Sequence, residues 1–395
     1  MEWEEVFSLA EEVAPYAVEL RHELHRVPEL ALQEYKTTAI LRRELETMDV
    51  EFQDIGMETG VVALIHGKKP GEGKCIGIRA DIDALPLQDM SGAEYASCIP
   101  GHAHACGHDA HAACLLAAAK VLSEHRTSFS GVVKLIFQPG EEGLLGAKEM
   151  LRHGVLENPH VDTMIALHDQ PAFPVGRVAV SPGKIMASSD TFSVRFLGKS
   201  GHASRPSEGI NALLAASHTV IALNEIVSNE VRTREEAVIN VCVLQAGTAQ
   251  NIIPDEAVLK GTVRCLEPKV RDQCEASIRR VAGCVAEMCR CRMEIEYLRG
   301  IPALSNEQET SSLLKQAAER VLGKDRVIPL PPVLGSEDFS FFADAVGKTC
   351  YYRLGCAREH LGEQPMLHNP AFNFNDDAFP YGIAVHVAFV LEVNG

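Results

Sequence analysis

The sequence lacks the features of a membrane-spanning or secreted protein. It has no run of about 18 or more apolar residues, the length that a helix needs to span a bilayer. Its first residues, MEWEEVFSLAEEV, are acidic where a secretory signal would be basic. Low-complexity stretches and obvious internal repeats are also missing. These absences predict a soluble, cytoplasmic, globular protein.

Positive charge is scarce in this chain. Lysine and arginine number 37 against 54 aspartates and glutamates, which gives a formal net charge of −17 with histidine neutral. A surface of this sign repels nucleic acid and anionic membranes. We therefore expect a small-molecule substrate, and neither nucleic acid nor a membrane as a partner.

Cys-x-x-Cys pairs are absent, although the chain contains 12 cysteines. Scattered cysteines in a long chain with 46% apolar residues are typical of buried thiols and not of a disulfide framework. Thiol redox chemistry through Cys106 is an alternative, but the sequence shows no resolving partner in the usual spacing.

Hydrophobic patterning predicts an α/β protein with two domains. The 395 residues exceed the roughly 250–300 at which a single core usually stops growing. In the first half, short β-branched runs alternate with helix-like segments, which favours a largely parallel sheet. The predicted strands are residues 60–66, 75–79, 131–137 and 163–167. The predicted helices are residues 5–26, 33–47, near 110–124 and near 145–152.

A different order of elements, βαββαβ, follows and predicts a ferredoxin-like unit. Its elements are strand 190–197, helix 209–229, strands 236–245 and 256–265, helix 268–290 and strand 292–298. Helices near 306–322 and at 379–392 then return to the first pattern. The sequence thus predicts a discontinuous domain, residues 1–186 and 299–395, which is interrupted by an inserted domain, residues 187–298.

The stretch HACGHDAH, residues 104–111, concentrates metal-binding residue types. Gly107 permits a bent backbone between Cys106 and His108, so thiolate and imidazole can converge on a divalent ion such as Zn²⁺ or Mn²⁺. Taken alone, the pair is more typical of a buried thiol beside helix-capping histidines. The other motifs decide between these interpretations.

Two adjacent carboxylates, Glu141 and Glu142, follow the predicted strand at 131–137. They would lie at the edge of the sheet where α/β proteins bind ligands. One carboxylate can ligate a metal while the other accepts a proton from activated water. A solvated acidic turn is the alternative for such a pair on its own.

Four further polar residues lie close to predicted elements. His168 follows a predicted strand, and His368 lies in a loop before the final helix. Asp81 and Asp83 follow another strand two residues apart, which places them on the same side of it. Each histidine alone is also typical of a structural role, and the aspartates are candidates to support metal ligands.

Eight motifs in order along the chain resemble the amidohydrolase branch of a co-catalytic metallopeptidase family. That branch includes hippurate hydrolases, N-acyl-amino-acid deacylases, N-acetyldiaminopimelate deacetylases and indole-acetyl-amino-acid hydrolases. The motifs are RADIDALP, HACGHDAH, FQPGEEG, LHDQP, GKSGHASRP, NIIPD, GSEDFS and LHNPAFNFND. The sequence departs from these relatives at Ser207, where they commonly carry a histidine, and at Asp169-Gln170, where they carry more apolar residues.

The resemblance implies a pair of divalent metal ions as cofactor, Zn or Mn, with Co or Ni as alternatives. The residues implied as their ligands are Cys106, His108, Glu142, His168 and His368. Glu141 would be the general base, and Asp83 would orient a metal ligand. Asp81 occupies a less certain position.

For the inserted domain, the resemblance implies a role as a lid or as a dimerisation domain, and in the second case a homodimer. Its His202 would polarise the scissile carbonyl, in its own subunit or in the neighbouring one. Asn251 and Arg264 would hold the carbonyl oxygen or the carboxylate of the amino-acid portion. A strand-end hydrogen bond is the alternative role for both.

Together these features predict a hydrolase that cleaves an N-acyl amino acid into a carboxylic acid and a free amino acid. A dipeptidase or carboxypeptidase with the same metal pair is the first alternative. A metal-dependent binding protein without catalysis is the second. Against the latter, a structural zinc needs four ligands and no adjacent free base, whereas this chain retains both Glu141 and Glu142.

Overall fold

The computed structural model describes residues 1–143, 146–358, 362 and 364–395. Contacts between Cα atoms divide the described residues into two compact units. The first unit comprises Met1–Gly183, Ser305–Pro331 and Phe341–Gly395, and the second comprises Lys184–Leu304 and Pro332–Ser340. The domain limits drawn from the sequence remain a prediction.

Helices and strands alternate along the chain. The helices are α1 (Val6–Arg26), α2 (Tyr35–Glu46), α3 (His108–Glu124), α4 (Gly146–Arg152), α5 (Ala212–Glu230), α6 (Pro268–Met288), α7 (Gln308–Leu322), α8 (Phe339–Val346) and α9 (Phe379–Asn394). The strands are β1 (Glu51–Phe52), β2 (Val61–His66), β3 (Cys75–Asp81), β4 (Val132–Gln138), β5 (Thr163–Pro174), β6 (Val178–Ala179), β7 (Gly183–Met186), β8 (Ser189–Leu197), β9 (Gly201–His202), β10 (Ala237–Ala246), β11 (Ile252–Ile253), β12 (Glu256–Cys265), β13 (Arg292–Ile301), β14 (Leu304–Asn306), β15 (Val327–Ile328) and β16 (Thr349–Ala357).

An eight-stranded sheet forms the centre of the first unit, in the order β1-β2-β4-β3-β5-β16-β6-β15. The central pairings β4–β3, β3–β5 and β5–β16 are parallel, whereas β1–β2, β2–β4 and β16–β6 are antiparallel. Every residue of β3 and of β16 is buried, as expected for parallel strands covered on both faces. The predicted α/β class with a mostly parallel central sheet is confirmed.

Helix α3 lies in the core of the first unit. Nearly all of its residues are buried, including every residue of the run Ala110–Ala119. A helix that is apolar on almost all sides belongs in a core, and its many alanines let it pack closely. Because α3 begins at His108, this packing fixes the start of the helix and the motif that precedes it.

The second unit contains the sheet β10-β12-β8-β13, in which all pairings are antiparallel. Buried and less buried residues alternate along β8, so one face of the sheet packs on α5 and α6 and forms a separate core. The order β8-α5-β10-β12-α6-β13 is the predicted βαββαβ arrangement. Asn211 caps α5 by accepting a hydrogen bond from the Leu213 backbone N–H.

The predicted helices and strands agree with the observed limits to within about three residues, except for β5. The helix near 145–152 is observed at Gly146–Arg152, and residue 145 lies outside the described residues. Strand β5 continues to Pro174, so the expectation that His168 follows this strand is wrong. His168 lies within β5, because the parallel pairing with β16 continues past it, with Arg353 opposite His168. None of the described helices is long and apolar enough to cross a membrane.

Candidate metal centre

The candidate site lies at the carboxyl ends of the neighbouring parallel strands β3 and β4, beside β5, which continues past the site to Pro174. Strand β3 ends at Asp81, which is in register with Gln138 at the end of β4. The turn that carries Glu141 and Glu142 follows β4, and β5 lies on the other side of β3. Parallel strands end at the same edge of a sheet, which is why these distant segments meet.

Gly107 determines how Cys106 and His108 are presented. It precedes the first residue of α3 with φ +80, in the left-handed region that favours glycine. A Cβ atom at this position would clash with Oδ1 of Asp169. The bend predicted from the sequence is therefore confirmed, and a larger residue at 107 would displace a buried carboxylate.

The structure brings all five residues implied as metal ligands together around Cys106. The donor atoms of Cys106, His108 and His168 lie within 4.8 Å of one another, and so do those of Cys106, Glu142 and His368. The Cys106 Sγ lies 3.6 Å from the His168 Nε2. His368 Nε2 lies 3.2 Å from Glu142 Oε1, and its side chain is 54% exposed, so the cluster reaches the surface on that side.

Glu141 lies beside this cluster. One of its carboxylate oxygens is within 4.8 Å of the donor atoms of His108 and Glu142. Its side chain is buried, with 7% of the residue exposed. The arrangement thus contains both a carboxylate among the ligating atoms and a second carboxylate next to it.

The donor set fits a divalent metal ion. His108 Nε2 is buried and, among the described residues, has no hydrogen-bond partner. Burial lowers the pKa of the His168 imidazole, which favours the neutral form that ligates metals. Burial raises the pKa of the Cys106 thiol well above its usual range, and nearby His108 offsets this only in part. A coordinated cation is what would keep such a thiol deprotonated.

Asp83 connects two members of the cluster. His108 Nδ1 lies 3.0 Å from the Asp83 backbone oxygen and 3.2 Å from its Oδ1. The other ring nitrogen, Nε2, is therefore turned towards the remaining donor atoms of the cluster. The Asp83 Oδ2 accepts a hydrogen bond of 2.9 Å from the Glu142 backbone N–H. This is the geometry that an orienting carboxylate requires.

His111 and Asp169, for which the sequence predicts no role, form a buried network behind the cluster. His111 Nδ1 lies 2.6 Å from Oδ1 of Asp81, and His111 Nε2 lies 2.9 Å from Oδ1 of Asp169. Burial opposes protonation of His111, but Asp81 and Asp169 outweigh it and raise the pKa of the ring. Arg79 donates to Oδ2 of Asp81 at 2.7 Å.

This network also orients His168. The His168 Nδ1 donates to the backbone oxygen of Asp169 at 2.8 Å, which turns Nε2 of the ring towards Cys106. The spacing of His111, three residues after His108 and hence on the same face of α3, is a signal that could have identified it. Asp169 carries no such signal, because only the fold shows that it is fully buried between two histidines.

His202 lies in the second unit, in the short strand β9, and is exposed. Its Nδ1 accepts hydrogen bonds from the Ser204 backbone N–H at 3.1 Å, with the Ser204 hydroxyl 2.8 Å away. Because Nδ1 accepts a backbone N–H, the ring proton resides on Nε2, which leaves an exposed N–H donor.

The structure places Asn251 beside His202 but Arg264 elsewhere in the second unit. The Asn251 backbone oxygen accepts a hydrogen bond from the Ala203 N–H at 3.0 Å. Strand β12 begins at Glu256, five residues after Asn251, and Arg264 lies near its other end. An extended strand of this length separates Arg264 from Glu256 by about 26 Å. The Arg264 guanidinium is partly buried and donates to the Ser336 hydroxyl at 2.8 Å.

Residues 77–392 match the model of peptidase family M20/M25/M40. The chain is 34% identical over 390 residues to IAA-amino acid hydrolase ILR1-like 2 of Arabidopsis thaliana, which covers 98% of this chain and 87% of the relative. It is 35% identical over 360 residues to N-acetyl-L-cysteine deacetylase of Bacillus subtilis, which covers 91% of this chain and 83% of the relative.

The fold is similar to that of a solved dinuclear metal-binding peptidase of the M20 family, the YXEP protein of Bacillus subtilis. The TM-score is 0.86 at 31% sequence identity, and the match covers 96% of this chain and 98% of the other. The similarity extends over both compact units, so the resemblance inferred from short motifs is confirmed along nearly the whole chain.

Proposed function

The chain belongs to peptidase family M20/M25/M40, within its amidohydrolase branch, and from this premise we propose that it hydrolyses N-acyl amino acids to a carboxylic acid and a free amino acid. That it is a metal-dependent hydrolase of amide bonds follows from the family and from the donor cluster. The choice of N-acyl amino acids over peptides is the part that we propose. The observation that carries the proposal is the donor cluster in which Glu142 lies close to Cys106 and Glu141 lies beside Glu142 and His108.

We propose that two divalent ions bind, because two groups of donor atoms share Cys106. Cys106, His108 and His168 would hold one ion, and Cys106, Glu142 and His368 the other. A thiolate favours zinc, and the imidazole and carboxylate donors also accept manganese, cobalt or nickel. When bound, such ions polarise the amide carbonyl and lower the pKa of water towards about 7.

Glu141 would act as general base and then as general acid. It takes a proton from the attacking water as the water oxygen bonds to the carbonyl carbon, and it gives that proton to the amine nitrogen as the C–N bond breaks. Its position beside the donor atoms of His108 and Glu142 supports this role. Asp83 would hold His108 and the turn of Glu142 in place during the reaction.

In the inserted unit, we propose that His202 donates a hydrogen bond from Nε2 to the carbonyl oxygen, which becomes an oxyanion as water adds. Asn251, which lies beside it, would contact the same substrate. Arg264 would pair with the substrate carboxylate. We further propose a homodimer formed through this unit and a cytoplasmic location; sedimentation analysis and cell fractionation test these two points.

A hydrolysis screen tests the function. Purified protein is offered N-acetyl, N-benzoyl and N-indole-acetyl amino acids alongside dipeptides, before and after chelation and again after a divalent metal is restored. We expect release of the amino acid from at least one N-acyl substrate, loss of activity on chelation and its return with metal. Faster cleavage of dipeptides would favour a peptidase instead, and activity that survives chelation would contradict the metal centre. Sensitivity to thiol reductant with no effect of chelator would favour redox chemistry.

Substitution of His202 tests the role of the inserted unit. His202→Ala removes the ring N–H donor and should lower kcat by about 10–100-fold, less than the loss of a full oxyanion hole. Metal content and the unfolding midpoint should stay unchanged, because His202 is exposed and its side chain bonds only to Ser204 among the described residues. Exposed His160, in the first unit, supplies the matched control, and His160→Ala should leave kcat unchanged. Equal activity in both variants would contradict the proposed role.

A further inference from the structure

A glutamate outside the metal centre is completely buried against the turn that carries Glu141 and Glu142. Glu34 has 0% of its surface exposed, although a glutamate is almost never fully buried without a partner. It lies at the start of α2, far in sequence from every residue of the cluster. None of the roles proposed above uses it.

The Glu34 carboxyl group holds two turns at once. Its Oε1 accepts a hydrogen bond of 2.8 Å from the Gly140 backbone N–H and one of 2.9 Å from the Leu32 N–H. Gly140 has φ +70 and Leu32 has φ +60, so both donors belong to residues in the left-handed region. A non-glycine residue such as Leu32 adopts that conformation only where the surroundings impose it.

The two turns are also closely packed against each other. A Cβ atom on Gly140 would lie 3.1 Å from the Leu32 Cδ2, and one on Gly143 would lie 2.8 Å from the Ala31 Cβ. The segment at 31–32 therefore lies against both ends of the Gly140–Gly143 turn. This turn has a further support, the hydrogen bond from the Glu142 N–H to Asp83.

The segment that contains Glu34 is itself tied to the end of β3. The Ala84 N–H donates to the Glu29 backbone oxygen at 2.8 Å, next to a bridge between Leu30 and Ala84. The chain from Glu29 to Glu34 thus links the segment that carries Asp83 with the turn that carries Glu141. The Glu34 side chain completes this connection by accepting a hydrogen bond from the Gly140 N–H.

We propose that Glu34 is a positioning residue, whose carboxyl oxygen fixes the Gly140–Gly143 turn so that Glu141 and Glu142 keep their places in the metal centre. The proposal rests on the proposed function for the roles of those two glutamates. Glu34 does not itself touch the donor cluster, and it acts through the backbone of Gly140.

The hydrogen bonds that Glu34 accepts define which substitution preserves its role. Burial raises the pKa of its carboxyl group to about 7, and Asp83 adds to this shift, while hydrogen bonds from its own backbone N–H and from those of Leu32 and Gly140 oppose it. The Leu32 and Gly140 N–H groups need only an acceptor oxygen at the position of Oε1. A neutral side chain of the same shape with one carbonyl oxygen therefore meets the requirement, as glutamine does.

Three variants test this role: Glu34→Gln, Glu34→Met and, as a matched control, Glu29→Met. The Glu29 carboxylate caps α2 by accepting from the N–H groups of Lys36 and Thr37, and it lies in the same segment without touching the turn. The readouts are the zinc dissociation constant by chelator competition, the visible spectrum of the cobalt-substituted protein, and kcat and KM on the best substrate of the screen.

We expect Glu34→Met to weaken zinc binding by about 10–100-fold and to alter the cobalt spectrum, as is usual when support behind a metal ligand is removed. At saturating metal, kcat should fall by a further factor of about 10–100 with KM within about threefold, because Glu141 is displaced from the reacting water. Glu34→Gln and Glu29→Met should stay within about threefold of the unmodified protein in both respects.

Several outcomes would overturn the role of Glu34. A folded Glu34→Met protein with unchanged zinc affinity and kcat would do so, and so would a glutamine variant as impaired as the methionine variant. An equal loss in Glu29→Met would show that the segment is only generally loosened. If Glu34→Met does not fold, Glu34→Asp withdraws the same carboxylate by one methylene and is expected to lose zinc affinity where Glu34→Gln keeps it. Should the unmodified protein cleave no amide, the proposed function fails, while zinc affinity still reports on Glu34.

Discussion

Glu141→Gln should lower kcat by about 10²–10⁴-fold and leave the metal content unchanged. A positioned general base contributes a rate factor of this size, and glutamine has the shape of glutamate without its basicity. Glu141 lies beside the donor atoms of His108 and Glu142, close enough to reach a water held there. The measurements are steady-state kinetics on the best N-acyl substrate and metal analysis of the dialysed protein.

The neighbouring residue provides the matched control for this prediction. Glu142→Gln removes the same charge one position along the chain, but Glu142 pairs with His368 and belongs to a donor group with Cys106. We expect it to lose metal together with activity. Near-normal turnover of Glu141→Gln with full metal content would show that another group accepts the proton. Loss of metal from both variants would show that the two carboxylates do not divide the roles.

Most of the fold was predictable because the signals that determine it are local. Strands such as β3 and β4 are continuous apolar runs, and the end of each run marks the edge of the sheet. Cys106 and His108 were identifiable because the glycine between them permits a bend that brings thiolate and imidazole to one site. The close approach of Asp169 to Gly107 supports this interpretation. The order of the motifs along the chain then identified distant segments as parts of the same site.

The position of His168 within β5 could not be predicted in this way. The apolar run ends at Leu167, and nothing local indicates that the strand continues through the polar residues after it. The strand continues because β16, almost 200 residues later, pairs with it in parallel. A long-range pairing therefore decides whether His168 belongs to a loop or to the rigid sheet.

The supporting polar residues were hidden for a related reason. Asp169, His111 and Glu34 are fully or almost fully buried, and each is satisfied by partners from other elements. In the sequence, such residues cannot be told apart from exposed polar ones, because a lone carboxylate is most often exposed. Asp169 in particular was noted only as a departure from relatives, whereas the structure shows it between His111 and His168.

The second large effect is expected from Cys106→Ala, which should abolish activity through loss of metal. Cys106 belongs to both donor groups, so its removal takes one donor from each proposed ion. The expected loss of zinc affinity exceeds the roughly 10–100-fold that follows when only the support of a ligand is removed. Zinc per chain after dialysis, the dissociation constant by chelator competition, and kcat are the quantities to measure.

Cys114 separates the effect of a ligand from the effect of a cavity. It is also a buried thiol, with 1% of its surface exposed, and it lies eight residues further along, in α3, packed near Gly382 instead of the donor cluster. Cys114→Ala removes the same sulfur atom from the core of the same unit, so in the metal-free proteins both variants should lose similar amounts of unfolding free energy, about 1 kcal/mol. Only Cys106→Ala should lose zinc. If the two variants bound zinc equally well, Cys106 could not be the shared donor, and the ions would have to be held by the histidines and Glu142 alone.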